Sequence, residues 1–145
     1  MPTARRSRTI AAAPEQVWKT VADPHHLPRW WPRVERVEAV RGDGFTEVLG
    51  TDRGQSVRAD FKVLESRAPE RRVWEQELVG TPFERVFAAA RTEVTLAPDG
   101  DGTRVTLVVH QRLRGAARLG GWVVLRATGR VLDQALVALE GLHGT

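Results

Sequence analysis

Two hydrophobic spacings divide the chain. Through most of residues 34–113 apolar side chains recur at every second position, the period of a strand with one buried face. Val57, Ala59, Phe61 and Val63 alternate with Arg58, Asp60 and Lys62. Trp74, Gln76 and Leu78 share one face of the next segment, and Val105, Leu107, Val109, Gln111 and Leu113 share one face of the last. Turn residues punctuate the pattern at Gly42-Asp43-Gly44, at 52–55, at Ala68-Pro69-Glu70, at Gly80-Thr81-Pro82 and at 98–102. Such clusters between alternating runs mark hairpins. The spacing predicts strands over 34–41, 45–51, 57–63, 72–79, 84–96 and 103–113. The period then changes. Over 114–142, Trp122, Leu125, Gly129, Leu132, Leu136 and Leu139 recur at steps of three and four. Val124, Ala127, Val131, Ala135, Ala138 and Leu142 widen that face, and Arg126, Arg130, Asp133, Val137 and Glu140 mark the opposite stripe. This is one long amphipathic helix, with Gly115 and Gly120–Gly121 loosening its entry and Gly144 placed to cap its exit.

Ahead of the alternating region lie a predicted strand over 3–12 and two short helices. Pro14 sits at the first position of one helix, whose apolar face is Val17, Trp18 and Val21. Asp23-Pro24 caps the other, over 25–31, and Pro32 stops it. Short turns between consecutive strands require antiparallel neighbours. A sheet with one apolar face needs a helical cover, and the last helix is the one element large enough. The expectation is α+β: a seven-stranded antiparallel sheet covered by the C-terminal helix, as one domain over residues 1–145.

Composition narrows the function classes. There is no cysteine, which excludes disulfides, thiolate nucleophiles and cysteine-based zinc sites. The apolar run after Arg5, Arg6 and Arg8 is too short for a signal-peptide core, and arginines interrupt the C-terminal helix, so no membrane span is expected. A cytoplasmic protein follows as the expectation. The net charge of +4 comes from 22 basic and 18 acidic residues. No basic run is interleaved with aromatics, so no nucleic-acid partner is expected. The Asp99–Thr103 turn lacks the glycine and glutamate of a calcium loop. His25 and His26 diverge on a helix and cannot chelate one ion together. No metal and no cofactor are expected.

Several local motifs resemble those of a known family. Ser7-Arg8-Thr9-Ile10 is followed by Ala12-Ala13-Pro14-Glu15-Gln16-Val17-Trp18, then Val21-Ala22-Asp23-Pro24 and Leu27-Pro28-Arg29-Trp30-Trp31-Pro32. In this order they resemble the START/Bet v 1-like (SRPBCC) superfamily, in particular its bacterial polyketide cyclase/dehydratase-like members. The resemblance implies a helix-grip fold: a curved sheet wrapped around the C-terminal helix, with an apolar cavity between them and the two short helices plugging one end.

Within that fold the alternation nominates a ligand-binding set. Trp30 and Trp31 belong near the cavity mouth. Phe45, Phe61 and Trp74 belong on the sheet side, with Val109 and the small residues Ala88 and Ala90. Trp122, Leu125 and Gly129 belong on the helix side. Gln76 and Gln111 share faces with apolar residues and should point inward, where an amide needs a partner. His110, Arg91, Asp60 and Glu75 fall on the outward parity. The cavity is therefore expected to hold only amides and indoles, with no catalytic residue. The expected partner is an apolar or aromatic small molecule such as a lipid, polyketide or related metabolite. The alternatives are a polyketide cyclase, aromatase or dehydratase, which the resemblance implies, and a co-chaperone-like protein-interaction module. The protein would act as a monomer or a homodimer.

Overall fold

The computed structural model describes residues 3–143; the Gly144 cap lies outside the described residues. The chain opens with β1 (Thr3–Ile10), α1 (Pro14–Val21), a 3-10 turn (Pro24–His26) and α2 (Leu27–Trp30). Strands β2 (Val34–Arg41), β3 (Gly44–Gly50), β4 (Ser56–Arg67), β5 (Arg71–Glu77), β6 (Phe87–Asp99) and β7 (Gly102–Leu113) follow, and then α3 (Gly121–His143). All seven strands form one antiparallel sheet in the order β1-β7-β6-β5-β4-β3-β2. Consecutive hairpins dictate every neighbour except β1, which returns to pair with β7. This is the helix-grip arrangement, with α3 lying across the sheet.

Capping explains the N-terminal helices. Pro14 occupies the first turn of α1, where a missing N–H costs nothing. The Asp23 carboxylate accepts a hydrogen bond from the His25 backbone N–H at 3.0 Å and so caps the 3-10 turn. Val17, Val21, Leu27 and Trp30 are buried and close one end of the layer between sheet and α3.

Several elements differ from the sequence expectation: β4 continues to Arg67, past the expected end at 63, and the helix expected over 25–31 splits into the 3-10 turn and α2. The sixth strand starts at Phe87, not at residue 84, because Pro82–Arg85 forms a 3-10 turn. Pro82 at the start of that turn has no N–H to give to a strand ladder. The predicted helix over 114–142 is a 3-10 segment over Gly115–Gly120 that becomes α-helical only at Gly121. Gly115 has φ 50°, outside the helical region, and glycine costs about 1 kcal/mol relative to alanine in a helix interior.

The core lies under the C-terminal half of α3. Leu132, Leu136 and Leu139 are fully buried there against Ile10, Val94, Val105 and Leu107. Charged pairs bind the same half of the helix to the edge strand. Arg8 meets Glu140 at 2.9 Å and Arg6 meets Asp133 at 3.3 Å. On the other face of the sheet, Arg71 bridges Glu65 and Glu93, each at 2.7 Å. His110 meets Glu93 at 3.1 Å on that face.

Candidate functional site: a cavity beneath the first half of the C-terminal helix

Where the C-terminal half of α3 packs tightly, its N-terminal half does not. A cavity of about 680 Å³ separates it from the sheet. Strand register explains the wall. Phe61 lies opposite Gln76, Trp74 opposite Thr92, Thr92 opposite Val109, and Ala90 opposite Gln111. With a period of two, these side chains all rise from the same face. From α3 the wall receives Val123, Val124, Ala127, Thr128 and Val131. Small and β-branched residues on the helix and Ala90 on the sheet leave the space unfilled, where a packed core would place larger groups.

The aromatic side is ordered by ring contacts. Trp31 stands edge-on to Trp30 at 5.4 Å and edge-on to Trp74 at 6.2 Å between ring centroids. Phe45 stacks on Phe61 at 5.3 Å. Favourable T-shaped and offset geometries of this kind hold the rings in place. The rim is polar. Arg33, turned by a left-handed backbone (φ 67°), brings its guanidinium to Asp52 at 2.5 Å on the β3–β4 turn. Phe83 and Phe87 border the wall where the 3-10 turn enters β6.

Inside, the polar groups are few. The Thr128 hydroxyl donates to the Gln111 side-chain oxygen at 3.2 Å, linking α3 to β7 across the cavity. Gln76 lies on the wall with no hydrogen bond to its amide among the described residues. Glu47 also lines the cavity and is only 4% exposed. No protein donor or cation meets its carboxyl among the described residues. Burial pushes this carboxyl up to about 8, because the charged form has lost its water without gaining a partner.

Of the residues nominated from the sequence, Trp31, Phe61, Trp74, Gln76, Ala90, Val109 and Gln111 come together on this wall. The others stand elsewhere. Trp30 is buried in the core behind Trp31, and its Nε1 has no partner among the described residues. Phe45 is buried behind Phe61. Ala88 is exposed because β6 bulges between Phe87 and Ala89, and the extra residue breaks the alternation. Trp122 is 68% exposed, since the inward side of α3 at that level belongs to Val124, Ala127 and Thr128. Leu125 packs against the core and does not reach the wall. Gly129 is buried against the Arg6 guanidinium, not against the cavity, and a Cβ at that position would collide with it.

The expectation that only amides and indoles face inward also needs correction, because Glu47 is there. The signal was available. Phe45, Glu47 and Leu49 have one parity on β3, so placing Phe45 inward places Glu47 inward. His110, Arg91 and Asp60 are absent from the wall. Asp60 accepts from the Thr46 hydroxyl at 2.5 Å, and His110 engages Thr3 and Glu93.

A helix-grip sheet holding an apolar cavity under its long helix defines a class of small-molecule-binding and cyclase-type proteins. The chain belongs to the polyketide cyclase/dehydrase and lipid transport family, whose model matches residues 1–143. Solved structures share the fold. A START superfamily protein from Mycobacterium smegmatis superposes with a TM-score of 0.79 at 18% identity, covering 97% of this chain and 96% of its own. A protein from Thermus thermophilus superposes at 0.76 with 24% identity, covering 97% and 95%. The di-domain ARO/CYC StfQ of the steffimycin biosynthetic pathway superposes at 0.79 with 11% identity, covering 97% of this chain and 50% of its own. No curated protein matches the chain by sequence.

Proposed function

We propose that the protein binds an apolar or aromatic small molecule, such as a lipid, polyketide or related metabolite, between the sheet and α3. One observation carries this reading: a cavity of about 680 Å³ with a predominantly apolar and aromatic wall. Ligand sites occupy roughly 300–1,000 Å³ and have this character, with a few polar groups that set orientation. Trp31, Phe61 and Trp74 offer faces and edges to a flat ligand, and Gln76 and Glu47 offer polar contacts. The placement of His110, Arg91 and Asp60 away from the wall favours binding over base-catalysed cyclisation.

One observation favours the enzymatic reading instead. A carboxyl near 8 holds its proton at neutral pH and can still give it up, as a general acid–base must. Native mass spectrometry of the protein against lipid and aromatic-metabolite extracts separates the two. A one-to-one adduct of unchanged ligand mass is expected, and it should disappear in Ala90→Phe, which fills the cavity from the sheet side. A ligand whose mass changes with wild type but not with Glu47→Gln would replace binding with catalysis. An adduct that Ala90→Phe retains would place the ligand elsewhere.

A further inference from the structure

The polar groups of the cavity are not equivalent. Gln111 is engaged by Thr128, and Arg33 and Asp52 pair with each other at the exposed rim. Glu47 is held by β3 between Val37 of β2 and Ala59 of β4, with its carboxyl in the cavity and no protein partner among the described residues. Glu47 is only 4% exposed, and a polar side chain so little exposed normally has a hydrogen-bond partner. A bound molecule supplies one.

We propose that Glu47 is the recognition group of the cavity: in its protonated form it donates a hydrogen bond to a neutral carbonyl or hydroxyl oxygen of the ligand. The cavity thereby takes uncharged, oxygen-bearing apolar molecules, aromatic ketones and phenols above all, and turns away carboxylates and other anions. This rests on the reading of the cavity as a ligand site and specifies what that site accepts.

Three features support the assignment. Glu47 faces no cation: the wall contributed by β4, β5, β6, β7 and α3 carries no titratable side chain, and the charged groups on the remaining wall are Arg33 and Asp52, paired at the rim. Burial accordingly favours the neutral acid at physiological pH. An anionic ligand would find no countercharge at depth, and beside an ionised Glu47 it would meet repulsion. A cationic ligand would form an ion pair out of water, whose desolvation offsets much of its attraction. A neutral oxygen has neither cost. Gln76 can supply a second hydrogen bond, and Trp31 and Trp74 the aromatic surface.

Fluorescence titrations test this with defined probes: prodan (a neutral naphthyl ketone), 1-anilinonaphthalene-8-sulfonate (an anion), 1-naphthylmethylamine (a cation) and diphenylhexatriene (a hydrocarbon). Wild type should prefer prodan to the anion. Its prodan affinity should fall roughly thirtyfold between pH 6.5 and 9.5 as the binding-competent acid is depleted. Glu47→Gln retains a donor of the same shape, so it should keep the pH 6.5 affinity within about threefold and lose the pH dependence. Glu47→Leu should weaken prodan roughly tenfold and leave diphenylhexatriene unchanged. Circular dichroism of both variants checks the fold. A pH-independent prodan affinity in wild type, equal binding of the anion, or tighter binding of the amine as pH rises would overturn the assignment while leaving the cavity reading intact. Failure of every probe, the hydrocarbon included, would overturn both.

Discussion

Glu47 concentrates the chemistry of the molecule in one side chain. An acid normally near 4.5 is pushed to about 8 by burial alone. Through that interval the folded chain keeps a proton that the unfolded chain has released, so stability falls as pH rises. The penalty reaches about 3 kcal/mol at pH 7. Glu47→Gln should therefore be more stable than wild type by about 3 kcal/mol at pH 7, by more than that at pH 9, and nearly equal near pH 4.5. Urea denaturation at several pH values measures it, and parallel pH profiles for the two proteins would show that water reaches the carboxyl in the folded state. That a functional position should cost stability is ordinary, because a site that must bind is rarely a site that packs best. Its inward orientation was legible from the parity of Phe45, Glu47 and Leu49. The loss of hydration was not, since that depends on how the sheet, α3 and the segment after α2 together enclose the cavity.

At the scale of the element, α3 has two faces in succession. Its C-terminal half is core: Leu132, Ala135, Leu136 and Leu139 are buried. Its N-terminal half is a roof, with Val124, Ala127 and Thr128 over the cavity and Trp122 in solvent. The three-and-four spacing identified the buried leucines and Gly129 correctly and placed Leu125 on the side that packs against the core, but it extended the same face to Trp122, which stands in solvent. A helix of 3.6 residues per turn presents a stripe, and where that stripe points depends on how the helix is seated on the sheet. Gly129 shows the consequence. Its missing Cβ makes room for Arg6, which reaches past it to Asp133. Gly129→Leu should push the flexible end of Arg6 away from Asp133 and change stability by less than about 1 kcal/mol, the lost contact being offset by the better helix propensity, while leaving prodan affinity at pH 6.5 within about twofold. Thermal unfolding and a prodan titration check the two halves of that statement. A variant that folds with wild-type stability and loses the probe would return Gly129 to the cavity.

For the whole molecule, the division of α3 predicts uneven stability. The exposed pairs Arg6–Asp133 and Arg8–Glu140 contribute little, because water and salt screen them. The buried leucines supply most of the hold on the C-terminal half. Amide hydrogen exchange should be fast over 121–128 and slow over 132–139, because local opening follows the density of buried contacts. Saturating ligand should slow exchange in the first segment and leave the second unchanged. It should also raise stability by about 2.7 kcal/mol at a hundredfold excess over Kd. Uniform protection along α3 without ligand would mean that the cavity has no looser roof. No helix among the described residues is long and apolar enough to cross a membrane.

Alternation, turn residues and the final change of period determined most of the architecture by themselves: consecutive hairpins set the order from β2 to β7, leaving the place of β1 beside β7 to the tertiary structure, and a one-faced sheet requires a helical cover. They also determined which side of a strand faces inward wherever no bulge intervenes, because side-chain direction repeats every two residues. Tertiary structure decided the rest. The bulge that expels Ala88, the seating of α3 that exposes Trp122 and shelters Gly129 beside Arg6, and the depth that keeps Glu47 protonated all arise from how elements meet. Local periodicity specifies the face of an element; only packing specifies what that face touches and how much water remains there.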